Sequence, residues 1–274
     1  MRQAMFVLAF VVAAAVALVF LLLPIVAIFV HTSPGRLLSQ LSSAVVKDAF
    51  LVSLKTSVIA QLLILLFGTP TAYLIATRRF RGRSFAITLV ELPLVLPPAV
   101  AGIGLLAAFG RFGLLGSSLR ALGITLPFTQ SAVTIAVAYV ASPFYIRQAI
   151  AAFEATDPDL AAASRTLGAG PVRTFFRVVL PLARGGLIAG LALSFARGLG
   201  EFGATIMFAG SLQKVTQTLP LAIYAEFDRN FDATLAMSGA LVLFSAVLLA
   251  GLHIGLTWQR SDSTTSPSLF GLTG

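Results

Sequence analysis

The sequence predicts an all-α, polytopic membrane protein, and three observations predict it. Of its 274 residues, 58% are hydrophobic and 11% are charged, where a soluble domain carries about 25% charge. The mean hydropathy is +0.96, so the chain takes lipid as its solvent. Six stretches reach the roughly 20 apolar residues that a helix needs to cross a bilayer: residues 5–30, 49–77, 85–109, 131–153, 185–209 and 233–258. Together they form one transmembrane domain over residues 1–260, followed by a polar tail, 261–274.

The first stretch follows a single arginine, Arg2, and runs unbroken to Val30. A cleavable signal has an apolar region of roughly 7–15 residues. This run is longer and reads as a retained first helix. The second and third stretches are separated by RRFRGR, Arg78 to Arg83. Lys and Arg mark cytoplasmic loops. With the N-terminus inside, Arg2, the Arg78–Arg83 cluster, Arg147, Arg165, Arg173, Arg177, Arg184 and Arg260 share the cytoplasmic side. Arg36, Lys47, Lys55, Arg111, Arg120, Lys214 and Arg229 fall outside. Both termini are then cytoplasmic. The net charge of +9 is accounted for by loop placement, without nucleic acid. The chain has no cysteine, which removes disulfides and thiolate metal sites.

Pro24, Pro70, Pro93, Pro97, Pro98 and Pro143 lie in or near the apolar stretches. Proline frees a backbone carbonyl, and glycine lets helices approach closely. Ordinary helix packing accounts for single sites. Pro97-Pro98, followed by Ala-Val-Ala-Gly-Ile-Gly with Gly102 and Gly104, is denser than packing requires and predicts a broken helix near a pathway.

Between the fourth and fifth stretches lies DPDLAAASRTLGAGPVRTFFRVVLP, 157–181, on the cytoplasmic side. Asp157 suits an N-cap and Pro158 the first helical position. Leu160, Ala163, Ser164 and Leu167 then fall on one small, weakly apolar face. Gly168 stands where a helix ends in a left-handed conformation. Gly170-Pro171 starts a second short helix, with Phe175, Phe176 and Val179, that leads to Leu180-Pro181. Two short helices at an angle, lying along the membrane, offer a surface that a soluble protein can grip. Arg165, Arg173 and Arg177 suit acidic partner groups or lipid headgroups. An interfacial helix with no protein partner is the competing reading.

Arg197 and Glu201 lie inside the fifth stretch, four apart, at a spacing that pairs them on one helix face. A charge at mid-bilayer costs about 2.5–3.5 kcal/mol on insertion scales, so both face the bundle interior or water. The pair reads either as a lock between helices or as a gate or hinge brace. Glu91 reads as a carboxylate snorkelling from the start of the third stretch. His31 and His253 are too far apart in sequence to suggest one metal site, and no nucleophile–base order or acid pair suggests catalysis. No G-x-x-x-x-G-K-[ST] occurs, so the chain does not cradle ATP phosphates by that route.

The cytoplasmic loop resembles the signature of ABC importer permeases: an EAA triplet, a glycine, and an I-x-LP ending. Here the glycine is Gly168, and Val178, Val179, Leu180 and Pro181 keep the spacing. The triplet reads Ala162, Ala163, Ser164, without its usual glutamate. The resemblance implies a coupling helix, built around Asp157, Asp159, Leu160, Arg165 and Leu167, that docks on a separate ATPase subunit. ATP and Mg would belong to that partner, and this chain would bind no cofactor or metal. Two further segments, ELPLVLPPAVAGIGLLAAFGRFG (91–113) and EFGATIMFAGSLQKVTQTLPLAIY (201–224), are similar to molybdate importer permeases. The resemblance covers about residues 49–253 and implies a permease homodimer in the cell membrane, surrounded by lipid, with two ATPase subunits and an external oxyanion-binding protein. Pro97, Pro98, Gly102, Gly104, Ser194, Arg197, Glu201 and Thr205 are the gate and pathway candidates by position. The cargo it implies is molybdate or tungstate. Sulfate or thiosulfate import is the alternative within the class, since sulfate permeases share EFGA. An ion-coupled secondary transporter is the alternative outside it, and a scaffold without transport a third.

Overall fold

A computed structural model describes residues 2–31, 35, 39 and 42–261, and among them no strand occurs. Arg36 and the 262–274 part of the polar tail lie outside the described residues, as do the side chains of His253 and Arg260. In chain order the helices are α1 Arg2–His31, α2 Ala44–Thr77, α3 Arg83–Val95, α4 Pro98–Phe109, α5 Gly116–Ala121, α6 Gln130–Glu154, α7 Pro158–Thr166, α8 Pro171–Leu199, α9 Gly203–Ala209, α10 Leu219–Glu226 and α11 Phe231–Ser261. Four of these are long and apolar enough to cross a membrane: α1 from Met5, α2, α6 and α8. A shorter apolar run, Phe231–Val247, opens α11.

Two of the six stretches are broken, one at Pro97-Pro98 as the sequence predicts and one, 185–209, expected as a single helix. The 85–109 stretch is bent by 113° between α3 and α4. The cause is local. Leu96 precedes a proline and is extended (ψ 132°), as a residue before proline tends to be. Pro97 then caps α4, with Pro98 in its first turn. The 185–209 stretch starts earlier than expected, at Pro171, and ends at Leu199; α9 resumes at Gly203. The second short helix expected after Gly170 is therefore the first turn of α8 itself. A π turn, Phe175–Val179, joins that turn to the rest, and the Leu180 N–H donates to the Phe175 carbonyl five residues back. Pro181 follows at once. Its ring crowds the carbonyl four residues earlier, and the wider turn makes room for it.

Helix starts follow their sequences. Ser43 Oγ accepts from the Val46 N–H, and Thr129 Oγ1 from the Ala132 N–H, which satisfies amides that each helix leaves unpaired. Pro143 inside α6 leaves the Tyr139 carbonyl without its usual donor, and the Ser142 hydroxyl bonds that same carbonyl at 3.3 Å. Leu219 begins α10, and its N–H is capped from another helix by Ser53 Oγ at 2.7 Å.

Helix α6 is the centre. It packs against α2, α8, α9, α3 and α4. One apolar cluster joins α2, α6 and α8 around Tyr145, Ile146 and Phe153. A second joins α2, α4, α6 and α9 around Val133, Val137 and Phe208. A third packs the start of α2 against α10 and α11. Helix α1 lies along α11 and keeps its described side chains largely exposed, as a lipid-facing helix does.

The α6–α8 seam runs on small residues four apart: Gly186, Gly190, Ser194 and Gly198. A Cβ at Gly186 would lie 2.5 Å from Ala152 Cβ, at Gly190 2.9 Å from Gln148 Cβ, and at Gly198 2.9 Å from Val137 Cγ1. Small residues at this spacing let backbones close up where lipid offers no hydrophobic drive between helices. Gly190→Leu should therefore lower stability by about 1–3 kcal/mol through overpacking. Gly251→Leu, with nothing within 4 Å of its Cβ, should leave stability within about 0.5 kcal/mol. Thermal unfolding of the detergent-solubilised protein measures both.

Candidate coupling and gating sites

The loop after α6 folds as its capping residues dictate. Asp157 adopts an extended N-cap geometry, its Oδ1 accepts from the Asp159 N–H at 2.9 Å, and Pro158 opens α7. Gly168 takes φ +85°, with no atom within 4 Å of where a Cβ would stand. The glycine is needed for its backbone angle and not for space. Gly170 is extended, and Pro171 starts α8. No residue of α7 is buried. Its Ser164 hydroxyl lies 3.2 Å from Thr174 Oγ1 and ties the two helices together.

Leu160, Ala163, Ser164 and Leu167, which share one predicted face, line an open cleft of about 620 Å³ together with Arg173, Arg177 and Pro181. Leu167 is 88% exposed, and Leu160 is also exposed. Asp159, Ala162 and Arg165 are exposed outside that lining. The result is an uncovered apolar strip edged by guanidinium groups, on a helix with free sides. The Arg78–Arg83 stretch lies at the same end of the bundle, because Arg83 is ion-paired with Glu154, three residues before Asp157. Glu91 also pairs at this end, with Arg147 Nε at 3.0 Å. It is a bridge between α3 and α6 and not a lone snorkelling carboxylate.

The two helix breaks meet. Helix α4 crosses α9 so closely that a Cβ at Gly102 would stand 2.6 Å from the Ala204 carbonyl oxygen, and one at Gly203 2.7 Å from Pro98 Cβ. Gly104 sits on the open side of α4, with nothing within 4 Å. Thr205 is buried in α9, and its hydroxyl has no hydrogen-bond partner among the described residues. Arg197 and Glu201 do pair, at 2.8 Å between Nη2 and Oε2. They do so across the end of a helix and not along one, since α8 stops at Leu199. Arg197 sits in the last turn of α8, where a cation complements the helix dipole. Glu201 is 1% exposed against 29% for Arg197. Its second oxygen, Oε1, accepts from the Ala204 N–H at 2.8 Å, so one carboxylate closes off α8 and steadies the start of α9.

Ser194 belongs to the seam. It donates to the Ala141 carbonyl at 3.0 Å and accepts from Gln61 Nε2 at 3.2 Å, which links α2, α6 and α8. Gln61, absent from the sequence-based candidates, carried one signal: a lone amide in the apolar run VIAQLLILLF. Gly203, the contact opposite Pro98, carried none beyond its place beside Glu201.

A family model described as binding-protein-dependent transport system inner membrane component matches residues 64–260. This chain is a member of that family. The permease is 41% identical over 235 residues, 86% of this chain and 89% of the relative, to a molybdenum transport system permease protein ModB of Mycobacterium bovis. It is 44% identical over 178 residues to ModB of Escherichia coli K12, covering 65% of this chain and 78% of the relative. Its fold is similar to a subunit of a bacterial alginate ABC transporter solved with its pentasaccharide-bound periplasmic protein. The TM-score is 0.72 at 16% identity, with 97% of both chains covered. The permease is thus a multi-pass inner-membrane protein, and the work of such a component is translocation.

Truncating Arg197 to Ala leaves the Glu201 carboxylate buried without its counter-charge, and should cost about 3–5 kcal/mol of stability. Glu201→Gln in the same chain keeps the acceptor for the Ala204 N–H and removes the orphan charge, and should recover most of that loss. Unfolding midpoints of the single and double variants test it; equal losses in both would assign no cost to the charge.

Proposed function

We propose that this permease is the membrane subunit of an ATP-driven importer that carries molybdate, or tungstate, into the cytoplasm. The observation that carries the reading is the 41% identity over 86% of the chain to a molybdenum transport permease. It works as a homodimer with two ATP-binding subunits on the cytoplasmic side and an external oxyanion-binding protein. ATP and Mg are held by the ATPase subunits. The chain makes six crossings: α1, α2, the bent α3–α4 pair, α6, α8 continued by α9, and α11. Both termini are cytoplasmic. The Arg78–Arg83 cluster at the α7 end supports that orientation, and puts α7 where an ATPase would meet it.

In this reading α7, with its flanking Asp157 and the turn to Gly170, is the coupling helix. Its bare apolar strip and flanking arginines suit a protein cleft with acidic edges. ATP binding draws the ATPase subunits together, pushes α7 and turns the bundle outward; hydrolysis reverses the motion. The crossing of α4 and α9 is the gate, and the Arg197–Glu201 pair is its brace. An oxyanion dianion does not enter lipid, because an unpaired buried charge is prohibitively costly. The broken backbones of both helices are tolerated in a membrane where they line a protein or water-filled path. Glu201 cancels the field of Arg197 locally, so tight anion binding belongs to the external protein, and the path passes its cargo weakly.

Uptake into proteoliposomes that hold the permease, its ATPase subunits and the external protein tests this. Molybdate should accumulate with ATP on the cytoplasmic side and be indifferent to collapse of proton and sodium gradients. Uptake that follows a gradient without ATP would indicate a secondary transporter. Equal competition by sulfate would move the cargo to sulfate. Gly168→Val forces a β-branched residue to a left-handed angle, at about 1–2 kcal/mol. It should leave the bundle folded while molybdate moved per ATP falls.

A further inference from the structure

One aromatic side chain stands between α7 and the rest of the bundle. Phe175 is the first residue of the π turn, directly after Thr174, which is 3% exposed and tied to Ser164 of α7. Its ring centroid is 4.8 Å from Tyr73 of α2 and 6.2 Å from Phe153 of α6. Tyr73 and Phe153 are themselves 5.4 Å apart and nearly edge-on. The three rings form one block across three helices. The π turn makes this placement. Its five-residue hydrogen bond stacks Phe175 over Leu180, and both pack against the same α2–α6–α8 cluster. An ordinary α turn would stack it over Val179, about one residue further back around the helix.

The rest of α7 has few holds on the bundle. It buries no residue; its partly buried Ala161 touches the cluster, and Ser164 bonds to Thr174. A displacement of α7 therefore enters the bundle beside Phe175, and there it meets α2 and α6 at once. Interlocked edge-to-face rings resist sliding in a way that a flexible aliphatic side chain does not.

We propose that Phe175 is the positioning residue that makes α2 and α6 follow the movement of α7, so that ATP-driven motion at the coupling helix becomes motion of the spans. The inference rests on α7 being the ATPase docking helix. A π turn at a functional position is a recurrent use of this element, and here its use is mechanical.

The test uses the assembled transporter in proteoliposomes, with molybdate uptake and ATP hydrolysis measured together. Phe175→Leu keeps an apolar side chain and removes the ring. It should leave the ATPase subunits co-purifying with the permease and lower molybdate moved per ATP, by roughly two- to thirtyfold for a residue within a coupling path. Phe175→Tyr keeps the ring and should keep the parental ratio. Thr174→Val, which breaks only the tie to Ser164, should lower the ratio in the same direction. The absence of cysteine allows a direct reading of motion from spin labels at Thr166→Cys on α7 and Thr77→Cys on α2. Their separation should stay constant through ATP binding in the parent and change with it in Phe175→Leu, as α7 moves without α2.

A parental ratio and a constant separation in Phe175→Leu would overturn the proposal, as would a ratio in Phe175→Tyr as low as that of Phe175→Leu. The docking reading is tested separately by Leu167→Asp on the exposed strip, which should release the ATPase subunits. If the subunits stay bound, docking at α7 fails and the role of Phe175 falls with it. If they are released while Phe175→Leu remains parental, only the role of Phe175 falls.

Discussion

The seam between α6 and α8 is the contact on which the other features depend. Neighbouring helices in lipid gain nothing from hiding apolar surface from water, so association rests on close packing and on satisfied polar groups. Gly186, Gly190, Ser194 and Gly198 supply the first, at a four-residue spacing against Ala152, Gln148 and Val137. Ser194 supplies the second, because only at this separation does its hydroxyl reach the Ala141 carbonyl while Gln61 reaches Ser194 from α2. Open the seam and the bridge is lost. The amide and hydroxyl would then sit unpaired in an apolar core, at about 1–3 kcal/mol for each group.

The seam also fixes where α8 must end. Gly198 is lodged against Val137, and the helix stops one residue later, at Leu199. Beyond Leu199 the chain makes a corner of irregular backbone, which in a membrane is tolerated only where protein or a cavity satisfies it. Glu201 serves that corner in two ways at once, by capping α9 through Ala204 and by neutralising Arg197. The second break, at Pro97 and Pro98, is placed against the first, with Gly102 and Gly203 allowing contact. Each break is covered by the other. This explains why residues so far apart in the chain are both helix-disrupting: a broken helix beside an intact one would leave unpaired groups facing lipid.

Features whose cause lies within a few residues were readable from the sequence. Asp157 with Pro158, Gly168 and the double proline at 97–98 each act on their own backbone, and the structure has α7, its left-handed end and the bend where those residues put them. Features whose cause lies across the bundle were not. The break after Leu199 is held by the Glu201 contacts and by α4 packed on α9, so an apolar run through 209 read as one helix. The ring block that the π turn serves, Phe175 with Tyr73 and Phe153, joins residues distant in sequence. The ladder from Gly186 to Gly198 stood in the sequence as a spacing, but nothing local names α6 as its partner. Arg197 and Glu201 show the difference most clearly. The pairing followed from a helical spacing of four, yet the pair forms because the helix has ended and the chain turns Glu201 back.

These elements share a single rod. Helix α8 runs 29 residues from Pro171, about 43 Å at 1.5 Å per residue. One end carries Phe175 and the tie to α7, and the other carries Arg197 and the corner at Glu201. A rod held along its length by an interlocked seam cannot move alone, because a shift of α8 against α6 would drive Gly186 and Gly190 into Ala152 and Gln148. It moves with α6 or not at all. An aromatic block that grips α6 through Phe153 beside the Ser164–Thr174 tie between α7 and α8 is the arrangement such a constraint requires. In the proposed mechanism a displacement at the loop loads both helices together, leaves the seam undisturbed and is carried to the Arg197–Glu201 corner.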